Sequence, residues 1–221
     1  MPKMKTTSNF RFDEKTHTYW LGAIRLPSVS EILKAHGFFD MYKGVPQGSR
    51  EVAMSVGKMT HEACYHYLKH GKIHQHARNF QEVKDYLYSF IEFVDGHEVE
   101  VIDCEQSVYH PSMFYAGTYD LRIIIDGKKV LTDIKTGVGD KPEMWHFLQS
   151  GAYALCTSDE LMGILKLSKQ THDFEIIDAA EHKLAWIKLV ESFGVFKKYK
   201  KQVAEIPETY APQNIVNVEA F

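Results

Sequence analysis

Apolar positions change their spacing several times along this chain, and each change predicts an element. Runs rich in β-branched and aliphatic residues at Val99–Tyr109, Asp120–Ile125 and Lys128–Ile134 predict three strands. Asp126-Gly127, between the last two, is the signal of a two-residue hairpin loop, because both central residues of a type I′ turn need positive φ. Counting back from that loop pairs Ile125 with Lys128 and Asp120 with Asp133, and it puts Lys135 on the face of Asp133. The opposite face collects Leu121, Ile123, Ile125, Val130 and Ile134, which is a core face. Leu161–Leu167 and Asp173–Ile177 predict two further strands joined by SKQTH.

A helical period takes over elsewhere. It predicts helices at Arg50–Lys69, with His61, Cys64, Tyr65 and Leu68 on one stripe, at Phe80–Asp95, and at Lys141–Thr157. In the third, Trp145, Gln149 and Tyr153 fall on one i, i+4 ridge. A long amphipathic helix is predicted over Ala179–Val203, through Leu184, Trp186, Ile187, Val190, Phe193 and Phe196. Ser28-Val29-Ser30-Glu31 is a capping-box pattern that opens a short helix. Phe10–Leu26 mixes aromatic and polar residues and predicts a small hairpin, while Gly37–Gly48 and the histidine-bearing KHGKIHQHARN predict loops. The sum is an α/β fold, a mixed central sheet flanked by helices. We expect one domain over 1–221, with 1–36 as a small N-terminal extension and 205–221 as a C-terminal tail.

Composition adds limits. The 221 residues suffice for a sizeable core, and 44% hydrophobic with 25% charged residues is ordinary for a soluble globular protein. A net charge of −3 gives no overall footprint for nucleic acid, so any such contact needs a local basic surface. Lys197–Lys201 (KKYKK) is basic, but cations also suit the C-terminal end of a helix. Cys64, Cys104 and Cys156 form no CxxC and are odd in number, which argues against a disulfide framework and for a reducing setting. No apolar leader or membrane-length run is present, and the expectation is a soluble cytoplasmic protein with no membrane partner.

The hairpin is where chemistry concentrates. Opposed carboxylates on neighbouring strands repel, and a divalent cation turns that liability into a site. Carboxylate oxygens suit Mg²⁺, which keeps several waters and completes its shell with substrate phosphate. Lys135 can hold an attacking water or stabilise charge on a phosphate; the plainer account is a solvated face on which it neutralises two acids. His61-Glu62 invites a zinc-protease reading, but His66 is five residues on where HExxH needs four. His70, His74 and His76 have a spacing that fixes no tetrahedral geometry.

Gly117-Thr118-Tyr119-Asp120 and Asp133-Ile134-Lys135 resemble the two halves of the PD-(D/E)XK nuclease motif. Gly57 through His61, Glu105 and Gln149-Ser150-Gly151-Ala152-Tyr153 match further pieces in order, which resembles the RecB-like exonuclease branch in its phage-encoded form. The lead-in YWLGAIRLPSVSEIL resembles that of many phage-type members.

The resemblance implies a restriction-endonuclease-like core and metal-dependent hydrolysis of DNA, with recombination, replication or repair in a phage or prophage as the setting. The host would be a bacterial or infected-host cytoplasm, with a recombination or single-strand-binding protein as possible partner. Asp120 and Asp133 would ligate Mg²⁺ or Mn²⁺, joined by His61 and the carbonyl of Ile134. Lys135 would serve the attacking water, and Glu105, for which Asp103 is a rival, would order the site. Gln149 and Tyr153 would arrange substrate or lysine. The four cysteines that hold an iron–sulfur cluster in some relatives are not matched, so no such cluster is expected. An endonuclease on the same motif, and a DNA-binding accessory module without turnover, are the alternatives.

Overall fold

A computed structural model of the chain describes residues 9–137, 142–169 and 171–194. Its centre is a sheet in the order β4-β5-β6-β7-β8, with β4 Val99–Tyr109, β5 Ala116–Ile125, β6 Lys128–Thr136, β7 Leu161–Leu167 and β8 His172–Asp178. Neighbours run antiparallel except β6 and β7, which are parallel. Parallel neighbours need a crossover, and α5, Met144–Thr157, supplies it. The sheet is therefore mixed and helix-covered, as the sequence predicts.

The hairpin register follows from its turn. Asp126 and Gly127 have φ of 48° and 77°, and Ile125 faces Lys128. Leu121, Ile123, Ile125, Val130 and Ile134 all enter one buried cluster with α2 (Gln47–His70) and α4 (Gln81–Asp95). Burying each such side chain is worth about 1.5–3 kcal/mol. On the other face Leu131 and Met162 pack with α5, α6 (Ala180–Phe193) and α1 (Val29–Ala35) around Tyr115 and Trp186.

Ser28 caps α1 through the reciprocal Ser28–Glu31 capping box. Ahead of it stands a three-stranded antiparallel sheet, β1 Phe10–Asp13, β2 Thr18–Leu21 and β3 Ile24–Leu26, one strand more than a hairpin. Its Tyr19 and Leu26 are buried in the same cluster as α5 and α6, and the Tyr19 hydroxyl meets Thr118 Oγ1 at 2.9 Å.

Two predicted loops are more ordered than their composition suggests. Asp40–Gly44 forms a 3-10 turn, and Gln75–Asn79 forms the short helix α3 inside the histidine-bearing segment. Ala77 is buried against the α2–α4 cluster, which gives that turn an anchor no periodicity announces. α6 is described to Phe193. Lys197–Lys201 and the 205–221 tail lie outside the described residues, as does the start predicted at Lys141 for the third helix. Among the described residues no helix is long and apolar enough to cross a membrane.

Candidate active site at the fork of two strands

β5 and β6 part company at one point. Their ladder runs from Ile125↔Lys128 only to Leu121↔Thr132. Beyond it, β5 stays with β4 as far as Ala116, while β6 stays with β7 as far as Thr136. Asp120 and Asp133 flank the fork. Tyr119 and Leu121, two residues apart, join different clusters on opposite faces of the sheet, so the strand turns over at Asp120. Directly across on β4 is Glu105, at φ 48°, between the Cys104↔Leu121 and Gln106↔Tyr119 pairs. Positive φ in a residue with a Cβ costs on the order of 1 kcal/mol.

Side chains replace the missing rungs. The Ile134 N–H donates to Asp120 Oδ2 at 2.8 Å, and His61 Nε2 lies 2.9 Å from the Ile134 carbonyl oxygen. His61 Nδ1 is 3.5 Å from Asp120 Oδ1. Gly57, one turn earlier on α2, sits so close to Thr136 that an added Cβ would lie 3.4 Å from its hydroxyl.

A second set meets on the other side of Ile134. Lys135 Nζ lies 2.9 and 2.7 Å from the two oxygens of Asp133 and donates to Gln149 Oε1 at 3.2 Å. Gln149 Nε2 donates in turn to the Tyr153 hydroxyl at 3.4 Å. The ring of Trp145 lies 5.6 Å from the lysine nitrogen. The i, i+4 ridge of α5 is thus the wall that faces Lys135. Gly117 makes the approach possible: a Cβ there would stand 2.5 Å from the Tyr153 ring.

Burial and charge push the two acids apart. For Asp120, desolvation raises the carboxyl's pKa, but His61, Lys135 and the Ile134 N–H together outweigh it and hold it at about 2. Asp133 is pushed up to about 6, first by burial and then by the Asp120 charge, against the pull of Lys135. His61 is raised: burial opposes its protonation, and the Asp120 carboxylate overcomes that. Glu105 is raised by desolvation and by Asp120, with His61 opposing.

Seven of the eight residues singled out from the sequence therefore share one connected site: His61, Asp120, Asp133, Ile134, Lys135, Gln149 and Tyr153. Glu105 stands exposed at its edge, within electrostatic reach of His61 and Asp120 but in no hydrogen bond among the described residues. Its rival is otherwise engaged, since Asp103 accepts from Tyr119 at 2.6 Å and from Arg122 at 3.1 Å. His146 went unnoticed in the sequence. Its Nδ1 accepts the Glu143 N–H at 2.9 Å and fixes the start of α5, in a capping box of the unusual pair Glu–His.

The donors fit a hard cation. Two carboxylates and one carbonyl are oxygen donors, and Mg²⁺ is ordinarily held by one or two carboxylates plus water and phosphate. As placed, with Lys135 on Asp133 and His61 on the Ile134 carbonyl, no three acidic or imidazole side chains converge on one point among the described residues.

No family model matches the chain, and no curated protein does. Three solved structures are similar in outline. SSO0001 is 16% identical at a TM-score of 0.38, covering 82% of this chain and 85% of its own. LHK-Exo in complex with dAMP is 15% identical at 0.36, covering 81% and 94%. The alkaline exonuclease LHK-Exo from Laribacter hongkongensis is 12% identical at 0.34, with the same coverage of 81% and 94%. At such TM-scores none of these likenesses bears on what the chain does.

Proposed function

We propose that this protein is a metal-dependent deoxyribonuclease, acting as an exonuclease that hydrolyses phosphodiester bonds. The observation that carries the reading is the fork: a buried carboxylate, Asp133, a half-buried one, Asp120, and a lysine meet where the ladder is open. An open ladder costs backbone hydrogen bonds, and here those bonds are remade by the site's own side chains.

Asp120, Asp133 and the Ile134 carbonyl would hold Mg²⁺ or Mn²⁺, with His61 at the same carbonyl. The bound cation would stabilise charge developing on the scissile phosphate. Gln149 keeps the Lys135 ammonium over the site, so that when Asp133 turns to a cation the lysine retains one fixed acceptor and offers its other protons to water or phosphate. Tyr153 fixes Gln149. Glu105 bounds the exposed side, where a water would enter. The phage-type lead-in supports a role in phage or prophage recombination, replication or repair, with a recombination or single-strand-binding protein as partner.

The test compares wild type with Lys135→Ala on end-labelled single- and double-stranded linear DNA and on a closed circle, with Mg²⁺, Mn²⁺ or EDTA. Cation-dependent trimming of the linear substrates, lost in the variant and absent on the circle, is the expected result. Equal cutting of the circle would make the protein an endonuclease. Binding without any product at high enzyme concentration would make it an accessory module.

A further inference from the structure

Gly57, His61 and Tyr65 follow one another at i, i+4 on α2, so one ridge of that helix runs along the fork. Gly57 lies against Thr136 and His61 against the Ile134 carbonyl. One turn further, the Tyr65 ring meets the His61 ring edge-on, with centres 6.1 Å apart and planes at 72°. Tyr65 is 7% exposed, and its hydroxyl oxygen is buried without a hydrogen-bond partner among the described residues. A buried phenol ordinarily finds a partner, because a hydroxyl left unpaired away from water is destabilising. Packing therefore accounts for the ring of Tyr65 but not for its oxygen.

The surrounding charges place that oxygen beside the acids of the fork. Burial pushes the Tyr65 phenol well above its ordinary value, and the Asp120 and Glu105 carboxylates add to the rise ahead of Asp133. The adjacent Cys64 thiol is likewise pushed up by burial and then by Asp120. The phenol is thus a neutral donor at ordinary pH. Glu105 is the complementary case, an exposed carboxylate at φ 48° with no hydrogen bond among the described residues. Asp120 is already engaged: Oδ2 accepts the Ile134 N–H, and Oδ1 faces His61.

We propose that Tyr65 is a positioning residue of the fork, its hydroxyl and the Glu105 carboxylate together orienting a water beside the cation that Asp120 would hold. The inference rests on the metal-site reading given above. A water accepts from the phenol and donates to the carboxylate, so it satisfies both groups where neither reaches the other. The positive φ of Glu105 is then backbone strain that aims its carboxylate at that water. Partners outside a metal's own ligands tune affinity for the ion as well as rate.

The experiment uses the full chain and two readouts. Mn²⁺ alone is titrated, the free ion being followed by electron paramagnetic resonance, and cleavage of end-labelled linear DNA is resolved into kcat and KM. Tyr65→Phe keeps the ring and removes only the hydroxyl. It should weaken Mn²⁺ binding about tenfold and lower kcat at least about tenfold, with KM for DNA within about twofold of wild type. Tm should hold or rise, because an unpaired buried hydroxyl is removed and the packing stays. The exposed Glu105→Gln should act alike, and the double variant should lose no more than about twofold beyond the stronger single variant. Wild-type Mn²⁺ binding and kcat in Tyr65→Phe, or additive losses in the double variant, would overturn the role of Tyr65 and leave the proposed function standing. A lower Tm with kcat per folded molecule unchanged would overturn it too, by making the hydroxyl a packing group. A wild-type chain that neither binds Mn²⁺ nor cleaves DNA would overturn the proposed function, and this inference with it.

Discussion

Asp120 and Arg122 stand two residues apart on β5, yet they centre charged clusters of opposite character. Arg122 is in a closed one. It donates to Asp159 at 2.8 Å and 3.2 Å and to Asp103 at 3.1 Å, and Lys129 adds 2.7 Å to Asp159. Two cations face two carboxylates, and Asp159 is held below the ordinary range because Arg122 and Lys129 outweigh its desolvation. Around Asp120 the balance is deliberately incomplete: one acid is pulled down to about 2 while its partner is pushed up to about 6. The closed cluster spends its charges on the fold. The open one keeps carboxylate capacity that only a cation or a proton can fill.

The largest expected effect lies in the open cluster. Asp133→Asn should lower cation-dependent cleavage by at least about a hundredfold while leaving Tm unchanged or raised, because a buried charge is removed with its shape kept. A fall in Tm with activity retained would assign Asp133 to the closed class. Next comes Arg122→Ala, which leaves Asp159 buried with Lys129 alone. It should cost about 3 kcal/mol in urea denaturation, with cleavage per folded molecule preserved. Loss of cleavage at unchanged stability would erase the contrast.

A smaller effect separates the two by pH. His110 and His146 are depressed by burial, to about 4 and about 3, and each accepts a backbone N–H at Nδ1. Their folded values lie below the unfolded one near 6.5, so the unfolded chain takes up these protons first. The share of stability the two imidazoles carry should be whole above pH 6.5 and fall from there towards pH 4, against a gain from Asp133, which is raised to about 6 and takes its proton first in the fold. The depressed Asp159 adds its own loss only as pH falls below about 4. Melting curves across pH should show that order, and His146→Gln should make the upper slope shallower. An unchanged slope between pH 6.5 and 4 in His146→Gln would show that imidazole to be charged in the fold. The smallest effect belongs to Tyr153→Phe. Its hydroxyl receives a long bond of 3.4 Å from Gln149, so kcat should fall by no more than about threefold with KM unchanged.

Much of the hairpin was legible because its information is local. Asp126-Gly127 sets the turn, the turn sets the register, and alternation sets the faces. Gln149 and Tyr153 were legible as one ridge for the same reason. What the sequence hid was non-local. Period two says nothing about which strand lies beside β6, so the parallel pairing with β7 could not be read. Nor could the turning-over at Asp120, which depends on the Glu105 backbone opposite. Asp103 and Glu105 looked equivalent until Tyr119 and Arg122 claimed the first. The histidines after His61 seemed dispersed because a left-handed Gly71 folds the segment back on itself.

Ile134 occupies the middle position of the Asp133-Ile134-Lys135 triplet, the position that a motif writes as any residue. Its side chain is buried in the α2–α4 cluster, so volume and polarity restrict what can stand there. Its contributions to the fork are both main-chain groups, which nineteen amino acids supply equally well. Proline is the exception, since it has no N–H to give Asp120. A tolerated spectrum of branched aliphatic residues, with proline excluded for a reason unconnected to packing, is what a saturation library at this codon should return.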